Sequence, residues 1–146
     1  MEFSEDYISQ IIKETVDSGS LVKVFKNNDV FYLVMNSGMN TINWKFVKSL
    51  EKSLDEIINS EDDLSKHSLV TLSTHPKIYS NGMDLMSIKS EKDLGEIFEY
   101  TGKVLAKIVG LGMPTIAMVS GHAFAAGLYL VISHDYIIMR EDKGFL

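Results

Sequence analysis

The chain has 146 residues, 45% of them hydrophobic, and a net charge of −6 from 20 acids against 14 Lys and Arg. This suits one globular domain with a real core, and the basic footprint of a nucleic-acid binder is missing. Cysteine is absent, and His67, His75, His122 and His134 show no ligand spacing, which excludes disulfides and thiolate catalysis and argues against a metal site.

In chain order, the first 20 residues carry five acids and one Lys. They lack the apolar core of a secretory signal and the Arg-rich face of a mitochondrial presequence. Tyr7, Ile8, Ile11, Ile12 and Val16 fall at helical spacing, which predicts an amphipathic helix over 4–17 that packs on its own domain or docks on a partner. We take 1–19 as a helical extension and 20–146 as the domain. Leu21, Val24 and Phe25 mark a first strand and Val30 to Met35 a second, with the polar turn KNND between them. From Asn43, the residues Trp44, Phe46, Val47, Leu50, Leu54, Ile57 and Ile58 recur at helical spacing. LVTLST reads as a buried strand. A helix follows from Ser90, an N-cap with Asp93 in capping-box position, and its apolar face is Leu94, Ile97, Val104, Leu105 and Ile108. Gly112 and Pro114 end it. PTIAMVS is a strand, GHAFAAGLYLVIS turns into a helix, and DYIIMR is a last strand. The apolar region from Thr115 to Met139 is broken by Gly121-His122 and His134-Asp135, so it reads as strand, turn and helix and not as a membrane span. Strands alternating with helices predict an α/β fold with mainly parallel pairing. The residues show no internal repeat.

Two turns stand out. GHAFAAG places Ala123, Ala125, Ala126 and Gly127 where a strand gives way to a helix. YSNGMDL, residues 79–85, is another turn after a strand, leading into a short helix. Helix starts expose unpaired N–H groups that can meet an anion or an oxyanion, and small residues let a ligand approach the backbone. The same residues also serve tight helix–strand packing, so spacing alone leaves both readings open.

NGMDL followed some thirty residues later by PTIAMVSGHAFAAGLYLVISHDYIIMRED resembles the crotonase superfamily, the enoyl-CoA hydratases and isomerases. Within it the resemblance is to the plant-type peroxisomal Δ3-Δ2-enoyl-CoA isomerases. It covers roughly residues 20–146 and is dense from Lys77 onward. The resemblance implies a crotonase-like spiral of ββα units, cut before the C-terminal helices. It also implies two backbone N–H groups, those of Met83 and Ala126, that hold the carbonyl oxygen of an acyl-CoA thioester. Ser80, Asn81, Gly82, Asp84, Leu85, Gly121, His122, Ala125, Gly127 and Tyr129 are the substrate-binding positions it implies. Gly82 would allow the turn, and Asp84 would cap the short helix after it. No cofactor is implied beyond coenzyme A carried by the substrate. A homo-oligomer or a place in a hetero-assembly is implied, in a peroxisome or mitochondrion.

The departures matter as much. Hydratases of the superfamily carry a glutamate three residues after the second amide, and here that position is Tyr129. The resembled isomerases keep one glutamate just beyond the point where this chain stops. Glu141 and Asp142 read as solvated surface and not as its replacement. Met86 stands where many hydratases have Lys. Asn40 and Thr41 lie in a loop that contacts coenzyme A in the family, and Lys45 and Lys77 are candidates for its phosphates or for plain surface. Two expectations follow: an enoyl-CoA isomerase lacking its base within these residues, or an inactive structural subunit that keeps the fold. In either case a severed sheet edge would call for a partner.

Overall fold

A computed structural model describes residues 5–146. Its elements in chain order are α1 (Glu5–Ser18), β1 (Val22–Asn27), β2 (Val30–Met35), α2 (Trp44–Ile58), β3 (Ser68–Ser73), β4 (Ile78–Ser80), α3 (Glu91–Val109), β5 (Thr115–Val119), β6 (His122–Ala123), α4 (Ala126–Ile132) and β7 (Tyr136–Met139). From β1 onward this is three successive ββα units, β1-β2-α2, β3-β4-α3 and β5-β6-α4, followed by β7. The repeat is structural only, and the residues do not display it.

The main sheet has the order β1-β2-β3-β5-β7. β1 and β2 form an antiparallel hairpin, and the remaining pairs are parallel. Asn28 makes the hairpin turn at φ 50, a left-handed conformation that asparagine tolerates well. Burial on both faces explains why β2 is the unbroken run VFYLVM. Phe31, Leu33 and Met35 face a core shared with Phe46, Leu50, Leu54 and Ile57 of α2 and Val104 and Ile108 of α3. Val30, Tyr32 and Val34 face the opposite way, toward Tyr7, Ile8, Ile11 and Ile12 of α1. Among the two expectations for the first helix, packing on its own sheet is the one observed. Its stripe differs by one residue from the expected one: Thr15 is buried and Val16 is half-exposed. The Thr15 hydroxyl donates to the Ile11 carbonyl, which lets a polar residue sit against the sheet.

The Ser90 cap is as the sequence indicates, and Asn43, where the second helix is expected to start, also caps it. The Asn43 side chain accepts from the Phe46 N–H at 3.0 Å, and Ser90 Oγ from the Asp93 N–H at 3.1 Å. Asp93 closes the second cap from one residue further out, accepting from the Lys89 N–H, and also accepts from the Trp44 indole. That ties α3 to the start of α2.

β4 and β6 leave the main sheet and pair with each other, in parallel, as a separate two-stranded sheet. Periodicity gives no sign of strands of three and two residues. Their consequence is large, because each is followed by one of the two turns singled out above.

Candidate functional site

The register of the small sheet sets Ser80 opposite Ala123. Three residues beyond each lie Met83 and Ala126. Equivalent positions of two successive ββα units are thereby brought side by side. Glycine permits the approach at three points. A Cβ on Gly121 would lie 2.1 Å from the Lys77 carbonyl, one on Gly127 2.5 Å from the Ser80 carbonyl oxygen, and one on Gly82 2.6 Å from the Phe124 carbonyl oxygen and 3.2 Å from the Ala126 nitrogen. Gly82 also has φ +78, so a side chain is refused both by conformation and by space.

The Met83 turn is pinned from its other side by the loop after β2. Asn40 is completely buried, and its amide donates to Ser73 Oγ and to the Tyr79 carbonyl. Ser80 Oγ donates back to the Asn40 carbonyl, and the Asn81 N–H to that of Met39. Ile42 then forms a one-residue parallel bridge with Met83, its N–H donating to the Gly82 carbonyl and its carbonyl accepting from the Asp84 N–H. In extended backbone, successive N–H groups point to opposite sides. With the Asp84 N–H committed to the Ile42 carbonyl, the Met83 N–H points away from it.

Ala126 is set by strain. Ala125 adopts φ 48, ψ −117, and the Gly127 N–H donates to the Phe124 carbonyl at 2.7 Å. This is a type II′ turn with alanine where glycine is the usual residue, an arrangement that costs of order 1–3 kcal/mol. Among the described residues neither the Met83 nor the Ala126 N–H has a protein acceptor. Both residues line one cavity of about 350 Å³, whose other walls are Phe98, Thr101, Gly102 and Leu105 of α3 and Tyr129 of α4. An N–H left without partner in a largely apolar hollow is a standing demand for an acceptor. Two of them in one hollow suit a single polarised oxygen.

The remaining predicted positions fall into groups. Gly82, Ala125 and Gly127 shape the turns, while Ser80, Asn81 and Gly121 hold the strands behind them. Tyr129 is 58% exposed at the cavity wall. Asp84 precedes the short 3-10 turn Leu85–Ser87, but its carboxylate makes no capping bond and instead accepts from Asn43 Nδ2 at 3.4 Å. Capping by the Asp84 side chain is therefore corrected; its backbone carbonyl holds the turn by accepting from Ser87. Leu85 is exposed and Met86 almost fully so. The carboxamide of Asn40 is spent on the fold; Thr41 is half-buried beside it and Lys45 is exposed on α2.

His122 lies elsewhere. Its ring stacks between Phe124 and Phe145, with centroids 5.1 and 5.3 Å away, and its Nδ1 accepts from the Phe145 N–H. It lines a second cavity of about 390 Å³ with Lys77, Glu141, Asp142, Lys143, Gly144 and Phe145. Asp142 is paired with the Arg140 guanidinium, which holds its carboxyl below the ordinary range. Of the α3 wall, the sequence places Leu105 on the apolar face but gives no role to Phe98, Thr101 and Gly102. Phe98, Thr101, Gly102 and Leu105 form a stripe one step around the helix from Ile97, Val104 and Ile108, and that second stripe is its signal.

Comparison with known proteins agrees with this fold. The enoyl-CoA hydratase/isomerase family matches residues 26–146. The chain is 38% identical over 123 residues to the peroxisomal enoyl-CoA delta isomerase 1 of Arabidopsis thaliana, covering 83% of this chain and 50% of that protein. It is 28% identical over 137 residues to the mitochondrial enoyl-CoA hydratase domain-containing protein 3 of Danio rerio, covering 92% and 47%. An enoyl-CoA hydratase structure from Geobacillus kaustophilus superposes with a TM-score of 0.77 at 19% identity, covering 86% of this chain and 47% of that one. The chain spans about half the length of these relatives. With three ββα units, two converging turns and a family match over most of its length, the chain belongs to the enoyl-CoA hydratase/isomerase family, on the side of the plant delta isomerases.

Proposed function

We propose that the chain binds an acyl-CoA thioester, with the N–H groups of Met83 and Ala126 donating to the thioester carbonyl oxygen. The acyl chain then lies against Met83, Phe98 and Leu105. The observation that carries this reading is that two residues with partnerless amides, from equivalent places in two ββα units, line one cavity. Hydrogen bonds that strengthen as the oxygen gains charge favour an enolate over the ground state. In an enoyl-CoA isomerase that enolate forms when a base takes a proton from C2. Return of a proton at C4 moves the double bond from position 3 to position 2. On this reading the coenzyme A of the substrate is the one coenzyme needed, and the peroxisomal and mitochondrial relatives support a setting of that kind.

The proton step needs a carboxylate or an equivalent base. Among the described residues the cavity walls carry none, and Tyr129 occupies the α4 side. The 146-residue chain on this reading holds and polarises the thioester without turning it over. A second reading, a structural subunit with no ligand, is favoured by one observation: the exposed apolar strand β7. The experiment is titration of the chain with a saturated acyl-CoA, together with an assay for conversion of 3-enoyl- to 2-enoyl-CoA. Saturable binding without turnover is expected. Turnover would overturn the statement about the base, and absence of binding would favour the structural subunit.

A further inference from the structure

A buried chain of hydrogen bonds links the two elements that deliver the amides. Tyr79 of β4 is fully buried, and its hydroxyl meets Thr71 Oγ1 of β3. Thr71 Oγ1 lies 3.0 Å from His134 Nε2, and His134 Nδ1 lies 2.9 Å from the Leu130 carbonyl of α4. A carbonyl can only accept, so Nδ1 carries the ring proton and Nε2 is the acceptor. The direction of the whole chain follows. Tyr79 O–H donates to Thr71, Thr71 O–H donates to His134 Nε2, and His134 Nδ1–H donates to Leu130.

The ends of this chain are near the two turns in sequence. Tyr79 precedes Ser80, the residue in register with Ala123, and stands four residues before Met83. Leu130 is one helical turn beyond Ala126. None of the three side chains lines the cavity. The ionisable groups that bear on the imidazole are Tyr79, through Thr71, and the adjoining Asp135, whose carboxylate is occupied by Thr115. Burial lowers the His134 pKa and raises that of Tyr79, which keeps both in the protonation states the chain requires.

We propose that Tyr79, Thr71 and His134 are positioning residues that fix the separation of the Met83 and Ala126 N–H groups. The inference rests on the thioester reading above. It predicts that breaking the chain harms recognition of the thioester oxygen and spares the rest of the ligand.

Two ligands separate these effects: a saturated acyl-CoA thioester and the matching S-alkyl-CoA thioether, which has no carbonyl. The wild-type chain should prefer the thioester by about tenfold, as expected for hydrogen bonds made to one oxygen. Thr71→Val, which removes both links at once, should abolish most of that preference while thioether affinity stays within about twofold. Thr71→Ser should restore it. Tyr79→Phe keeps the ring and removes only the first link, and it decides the matter if Thr71→Val fails to fold. Its preference should fall by about threefold. Folded variants that keep the wild-type preference, or that weaken both ligands equally, would overturn the positioning role while leaving the thioester reading intact. A wild-type chain with no preference would remove that reading and this inference together.

Discussion

Gly82 and Gly121 hold the two turns together, and each fails differently on substitution. Gly82→Ala combines a φ of +78 with a Cβ 2.6 Å from the Phe124 carbonyl oxygen. A cost of about 2 kcal/mol in chemical denaturation is expected, with loss of acyl-CoA binding because the Ala126 amide must move. Gly121→Ala sets its Cβ 2.1 Å from the Lys77 carbonyl, the acceptor of the His122 N–H, so β4 and β6 must part. The larger loss should be seen there. Gly95 is the control. It lies exposed on α3 with open space around its Cβ position. Gly95→Ala should therefore stabilise the chain by about 0.5–1 kcal/mol with binding unchanged.

α3 is the element whose placement sets the width of the cavity, and beside its buried apolar face it has an electrostatic tie to α2. Lys107 bridges Glu51 and Asp55 of α2 at 2.8 and 2.7 Å, and the Tyr100 hydroxyl also donates to Glu51. The hydrogen bond from Lys107, then that from Tyr100, lowers the Glu51 pKa below its usual 4.5. A carboxyl with a lowered folded pKa contributes stability above its unfolded pKa and loses it as pH falls through the lowered value. Melting temperatures between about pH 3 and pH 7 should therefore show an acid decline from about 4.5 downward that is shallower in Lys107→Met. At neutral pH that variant should lose at most about 1 kcal/mol, since the pair is partly exposed, and salt should narrow the gap. An unchanged acid limb would count against this tie.

The elements also show what the sequence made legible. α1, α2, α3 and the main-sheet strands are long enough for their apolar spacing to speak, and Asn43 and Ser90 announce their caps. β4 and β6 are too short for any period, so the second sheet, and with it the reason why Met83 and Ala126 meet, is invisible until the chain is folded. The turns themselves were found through their glycines and alanines. Most of the α3 wall was not, because Thr101 and Gly102 interrupt the stripe between Phe98 and Leu105, and Leu105 is legible only as part of the core face. His122 is one of the substrate positions the resemblance implies, whereas alternation along β6 turns its ring to the far side, toward Phe145.

At the scale of the whole molecule, the two edges of the main sheet are unlike. β1 carries Lys23 and Lys26 along its length, the kind of guard that discourages edge pairing. Among the described residues β7 pairs only with β5, and Tyr136, Ile137 and Ile138 are exposed in succession. Tyr136 and Ile138 stand opposite Ile116 and Met118 on the α1 face, and Ile137 stands opposite Ala117 on the other. An open edge with apolar side chains on both faces is a template for association. The 146-residue chain should therefore self-associate in sedimentation velocity, with a weight-average mass that rises with concentration. Ile138→Lys should shift it toward the 16.4 kDa monomer, because a lysine on an edge strand resists pairing. Acyl-CoA binding should survive the change, since β7 contributes nothing to the cavity that holds Met83 and Ala126. A wild-type chain that stays monomeric at every concentration would show that this edge needs no cover, and would weigh against the structural-subunit reading as well.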